Sequence, residues 1–218
     1  KEQIMLRKSL TSEYKIPLFS ASEPRISKEL FLMFLSEEMG VKKYDLKNLR
    51  TKRDLIKVKD IILPYTKFKT KPFQMLLDNF NDLVINARDT KGGFKYHMTY
   101  KGVQTDFGLG GAHGCTKSGV YESSDSMIIM SSDVTSFYPN LAIRNKWSPA
   151  HLPKEIFCDK YEWFFEDRKK LPKKDPKNYV YKIILNSTYG LSNDENSFLY
   201  DPEFTMRITI NGQLTLMM

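Results

Sequence analysis

The sequence predicts an α+β fold, and three observations carry that expectation. Long stretches place apolar residues at three- and four-residue spacings, the mark of helices that bury one side. Shorter segments bounded by glycines read as strands, and the two kinds are mixed in order along the chain with no internal repeat. A hydrophobic fraction of 41% and an aromatic fraction of 13% can fill a core, which excludes wholesale disorder.

The elements follow in order. In SASEPRISKELFLMFLSEEMG, Ser22 caps a helix, Pro24 sits in its first turn, apolar residues run from Ile26 to Met39, and Gly40 closes it. A second helix starts at Pro72, with Phe73, Leu76, Leu77, Phe80, Leu83 and Val84 at helical spacing. After a break at Gly92-Gly93, FKYHMTY and VQTDFG read as two strands joined at Lys101-Gly102. A glycine-rich stretch, FGLGGAHG, occupies 107–114. MIIMSSD at 127–133 predicts a buried strand, because Met127 to Met130 is a continuous apolar run, and SFYPNLAIRN predicts a short helix after it. Helical patterns cover about 154–170 and 176–189, joined by the turn LPKKDP.

Composition narrows the function class. No apolar run approaches the roughly 18 residues of a membrane span, the longest being LFLMFL at 30–35. KEQIMLRKSL lacks the apolar stretch and cleavage site of a signal peptide, and two cysteines cannot build a disulfide framework. The expected setting is a reducing one, the cytoplasm, with no membrane partner. The 34 basic against 26 acidic residues leave +8. Residues 41–72 hold eleven basic and three acidic side chains, an excess equal to the whole net charge. Tyr44, Tyr65 and Phe68 lie among those cations, a composition suited to phosphate contact and base stacking, or else to a solvated basic face.

Two motif readings fail on spacing. GAHGCTKS, from Gly111 to Ser118, carries Thr116 where a phosphate-binding P-loop needs its last glycine, and a dinucleotide fingerprint would need glycine at His113. A P-loop nucleotide hydrolase would rest on that segment alone. His113, Cys115, His151 and Cys158 match no common zinc spacing.

The chemistry concentrates in two segments. In SSDVTSFYPN at 131–140, Asp133 ends the predicted strand, where a carboxylate at a sheet edge can meet Mg²⁺, and the helix start after it offers free N–H groups to phosphates. In YVYKIILNSTYG, Lys182, Asn186 and Tyr189 fall at i, i+4 and i+7, on a side of the helix separate from Val180, Ile183, Ile184 and Leu185. Arg168 closes the preceding helix, so an antiparallel hairpin brings it toward Lys182, two cations positioned for phosphate oxygens.

These segments resemble a known family. DVTSFYPN resembles motif A of the family B DNA polymerases, DxxSLYP, and KIILNSTYG resembles their motif B, KxxxNSxYG, 49 residues on. FGLGGAHG is similar to the YxGG-type segment between exonuclease and polymerase domains, and MRITINGQLTL to the helix after motif B, so the likeness covers about 105–218. The resemblance implies a partial polymerase palm with a mixed sheet, a two-helix fingers hairpin and a mostly helical segment before them. The implied segments are an exonuclease-side end and linker at 1–100, palm at 101–150, fingers at 151–190 and a return toward the palm at 191–218.

The resemblance also implies roles at the matching positions. Asp133 is the first catalytic aspartate, binding two Mg²⁺ ions together with the Val134 carbonyl. The Ser136 and Phe137 amides hold the triphosphate, and Tyr138 is the gate that rejects a 2′-hydroxyl. Arg168 and Lys182 contact the triphosphate, Asn186 supports them, and Tyr189 and Gly190 border the nascent base pair. Gly110 and Gly111, with Lys52 and Arg53 of the basic run, are the expected DNA contacts. The implied partners are primer–template DNA and dNTP, acting on a monomer.

Departures are specific. Pro172, followed by Lys173, stands where the family often has a second fingers lysine, and Phe137 replaces leucine. Nothing before Met218 resembles motif C, so the expectation is an internal piece of a polymerase, inactive alone. The short gap between motifs disfavours a protein-primed enzyme and favours a viral or phage-like one, which would place it in host cytoplasm. The alternative is a non-catalytic nucleic-acid-binding module with a polymerase-like fold.

Overall fold

Ser22 and Gly40 bracket one helix: Ser22 is extended at the N-cap position but makes no side-chain cap bond, and Gly40 takes φ +64°, its N–H closing onto the Glu37 carbonyl. The computed structural model describes residues 2–88 and 93–218, so Gly92 of the expected break lies outside the described residues. In chain order the elements are helices α1 (Glu2–Tyr14), α2 (Glu23–Met39) and α3 (Lys43–Lys47), strand β1 (Leu55–Lys57), a 3₁₀ turn, helix α4 (Lys71–Asp82) and strand β2 (Val84–Asn86). Strands β3 (Lys95–Tyr100), β4 (Val103–Gly108) and β5 (Gly111–Cys115) follow, then helices α5 (Phe137–Arg144), α6 (Lys154–Lys170), α7 (Pro176–Leu191) and α8 (Pro202–Met217). Helix accounts for 50% and strand for 12%, and both sheets are small and antiparallel, which makes the fold α+β. None of the helices is long and apolar enough to cross a membrane, among the described residues.

The chain divides into two units, 1–53 with 138–208 and 54–137 with 209–218. The first unit is helical, and its core is aromatic. Phe31 of α2 lies 5.5 Å from Phe157, 6.2 Å from Tyr161 and 5.4 Å from Phe164 of α6, ring centre to ring centre. Each ring buried here stabilises by about 1.5–3 kcal/mol, so this cluster is the main apolar contribution to the unit. Tyr161 and Arg168 of α6 reach Leu185 and Asn178 of α7 respectively. Partners thus descend one helix as they ascend the other, and the pair is the expected antiparallel hairpin.

In the second unit, β1 pairs with β2, and β3, β4 and β5 form a three-stranded meander. Lys101 and Gly102 make the predicted two-residue turn with φ +48° and +81°, the primed geometry that matches strand twist. Met98, Thr105 and Phe107 cover the buried face of that sheet. Two amides of α8 clip the unit together: Asn211 accepts from Leu63 N at 2.8 Å and donates to the Ile61 carbonyl at 2.9 Å. Gln213 donates to the carbonyls of Gly108 and Thr209.

One expectation is overturned. The run 127–133 forms no buried strand: Ile128 and Met130 are 79% and 85% exposed, and Met127 makes only an isolated bridge to Ser124. No strand among the described residues pairs with it, and the backbone bonds found for it are local ones, between Met127 and Ser124 and from Ile129 N to Ser123 Oγ, which hold no ladder. The expected mixed sheet is accordingly not formed.

Candidate functional site

The predicted stripe sits on the outer side of α7. Asp175 caps that helix by accepting from Lys177 N at 2.8 Å, and Pro176 opens it. Val180, Ile183, Ile184 and Leu185 are buried, whereas Lys182, Asn186 and Gly190 are exposed and Tyr189 is half-buried. A β-carbon added at Gly190 would meet nothing within 4 Å, so that end of the helix is open.

Tyr189 is held by its own backbone. Ser192 Oγ and Thr205 Oγ1 each lie within donating distance of the Tyr189 carbonyl, at 2.6 and 2.8 Å, and 2.6 Å from one another. Either hydroxyl can therefore donate to the carbonyl. The rings of Tyr189 and of Tyr138, at the start of α5, meet in a T-shaped pair with centroids 4.9 Å apart and planes at 77°. Burial and the neighbouring phenol push the Tyr138 hydroxyl's pKa up, so it stays protonated and neutral. Two residues singled out 51 positions apart in the sequence therefore form one surface.

Arg168 ends α6. Its Nε donates to Asn178 Oδ1 at 3.3 Å, while Asn178 Nδ2 donates to the carbonyls of Arg168 and Leu171 at 3.2 and 2.9 Å. Partial burial lowers the guanidinium's pKa slightly from a very high starting value, so it remains charged. Lys182 lies four residues past Asn178, about 6 Å of helix rise beyond the level of Arg168. Pro172 and Lys173 are exposed in the turn between the helices.

Asp133 and Val134 lie in the extended, exposed segment before α5. Ser136, just after them, adopts φ +48°, a left-handed backbone that costs a non-glycine residue about 1–2 kcal/mol. Ser136 and Phe137 are half-buried at the entry to α5. Among the described residues no three His, Cys, Asp or Glu side chains converge where a metal could sit. A lone exposed carboxylate suits one Mg²⁺ that keeps its waters and takes further oxygens from phosphates. A two-ion centre would need further carboxylates beside it to bridge both ions.

The expected DNA contacts separate. Gly110 is exposed in the turn between β4 and β5, and Gly111 opens β5, so GAHGC is extended strand and no phosphate loop. Lys52 is exposed. Arg53 is engaged inside its unit: Nε meets Asp201 Oδ1 and Nη1 meets Glu203 Oε2, both at 2.9 Å. Asp201, 2% exposed, also accepts from Ala150 N and, as the cap of α8, from Glu203 N.

The pairing of Arg53 with Asp201 and Glu203, and the bonds of His151, were not foreseen in the sequence. His151 Nε2 contacts the Phe198 carbonyl at 2.8 Å, so Nε2 carries the proton and Nδ1 accepts from the Thr51 hydroxyl at 2.8 Å. Burial lowers its pKa. Pro202 after Asp201 is a capping signal that sequence reading could have used; nothing local announces Arg53 or Thr51, whose partners lie 148 and 100 residues away. Comparison with protein families, with curated proteins and with solved structures found no match for this chain.

Proposed function

We propose that this chain is the nucleotide- and template-handling part of a DNA polymerase of the family B type, and that the outer stripe of α7 faces an incoming dNTP. The observation that carries this reading is the outward stripe of Lys182, Asn186 and Tyr189, with the Tyr138 ring in T-shaped contact with Tyr189. Lys182, with Arg168 about one turn away, supplies positive charge for triphosphate oxygens. Asn186 offers an amide donor beside them. Tyr189 offers an aromatic ring to a base; its backbone is anchored through its carbonyl by Ser192 and Thr205, and its ring packs on Tyr138. Tyr138, with α5 restrained by the buried Pro139, stands where a ring could exclude a 2′-hydroxyl. Asp133 and the Val134 carbonyl, taken by themselves, would offer oxygens to one Mg²⁺, an ion that supplies charge neutralisation to phosphates when bound.

The test is nucleotide binding by the chain itself, with fluorescent dNTP and rNTP in Mg²⁺ buffer. Lys182→Gln is expected to weaken dNTP binding about tenfold, the loss of roughly one charge-assisted bond. Tyr138→Ala is expected to narrow the dNTP-over-rNTP preference while sparing dNTP affinity. If the chain binds no dNTP, or if Tyr138→Ala weakens both nucleotides alike, the reading fails and Tyr138 is a packing residue.

A further inference from the structure

The second unit carries a surface that the nucleotide stripe does not use. Phe68 and Phe73 stand 5.7 Å apart, ring centre to ring centre, and Phe73 and Tyr100 stand 4.9 Å apart at 65°, so three rings form a row. All three remain partly exposed, whereas Phe80 and Phe107, the core rings of the same unit, are fully covered. Lys67, Lys69 and Lys71 are exposed on either side of Phe68 and before Phe73, and Lys101 Nζ lies 5.6 Å over the Tyr100 ring. No acidic residue occurs from Ile61 to Leu77. The ion pairs of this unit involve Arg88 and Lys95 instead, and among the described residues none of the four lysines has one. Like charges held together without counter-charges destabilise a fold, and a polyanion relieves that repulsion.

We propose that this surface binds a single-stranded polynucleotide, with unpaired bases stacking along Phe68, Phe73 and Tyr100 and the phosphates following the four lysines. Rings in a row accept the faces of successive bases only where those bases are not paired into a duplex. The inference uses no residue of the dNTP stripe, so it stands or falls apart from the nucleotidyl-transfer reading.

Fluorescence anisotropy of the full chain with labelled oligo-dT, oligo-rU and a hairpin duplex, each across a salt series, tests it. Both single strands are expected to bind, the tighter of the two identifying the natural strand, with the duplex about tenfold weaker. Four lysine–phosphate contacts give a log–log salt slope near −3, and Lys69→Gln is expected to reduce it by about 0.7. Phe68→Leu, which keeps apolar bulk, is expected to weaken binding about tenfold and leave the slope unchanged. Lys8→Gln, a charge-matched change in the other unit, is expected to alter neither. Absence of binding at low salt overturns the proposal. So does equal affinity for the duplex, or a Phe68→Leu variant that binds like the parent, since either marks a plain polycation. Lys69 is exposed, so its variant keeps the test decisive even where Phe68→Leu loosens the unit.

Discussion

Taking away one member of a shielded ion pair costs more than the pair itself contributes, because the charge left behind has neither partner nor water. Asp201 is close to that position: it is 2% exposed with Arg53 on both oxygens, and without Arg53 only the Ala150 and Glu203 amides would remain as its partners among the described residues. Arg53→Ala is expected to cost about 3 kcal/mol, read as a shift in urea midpoint with an unchanged slope. A loss under about 1 kcal/mol would show that water reaches the carboxylate. His151 gives a second expectation, in pH. Its pKa is lowered in the fold, mainly by burial, so the unfolded chain takes up the proton first as pH falls. The stability it contributes is fully present above about pH 6.5 and is lost as pH drops through the folded value. Denaturant midpoints at neutral pH and near pH 5 should differ, and His151→Gln should shrink the difference. An equal pH dependence in both proteins would remove His151 as its source.

Among the elements, the α6–α7 hairpin and the 127–133 segment behave in opposite ways. The hairpin is over-determined: Asn178 ties the turn to Arg168 and Leu171, Tyr161 ties the middle to Leu185, and Asp175 caps the start of α7. A surface presented by such a hairpin keeps its geometry, which binding and positioning both need. The 127–133 segment has no such support. Ile128→Lys is therefore expected to change unfolding free energy by no more than about 0.5 kcal/mol, as for any exposed position. A buried strand would instead lose several kcal/mol, and a loss of that size in thermal or urea unfolding would restore the strand.

For the whole molecule, the expectation concerns catalysis. Asp133 belongs to no cluster of three or more metal-ligating side chains among the described residues, and a two-ion centre needs several carboxylates to bridge its ions. The chain by itself should therefore show no template-dependent dNTP incorporation, even at high Mg²⁺ and with dNTP bound. Incorporation measured above background with this chain alone would contradict that. Its two units also carry different surfaces, the tyrosine-bordered stripe in one and the lysine-flanked rings in the other, so binding of nucleotide and of polynucleotide can be measured and mutated separately.

Local chemistry was legible in the sequence wherever partners are neighbours in the chain. The α2 caps, the Lys101-Gly102 turn, the bounds of α6 and the stripe on α7 follow from spacing and backbone preference over a few residues, and the structure has them where the pattern put them. The short strands β1 and β2 and helix α1 were not legible. Three-residue strands carry too little pattern, and the polar, weakly amphipathic α1 gives no clear periodicity. What only the tertiary structure decided are matters of partnership across the chain. Arg53 turned inward because Asp201 and Glu203 arrive beside it, Tyr138 met Tyr189 because α5 and α7 share a unit, and Met127–Met130 stayed in water because no strand came to pair with it. An apolar run or a cation announces what it could do, but burial and pairing are properties of two groups, and the second group lies elsewhere in the chain.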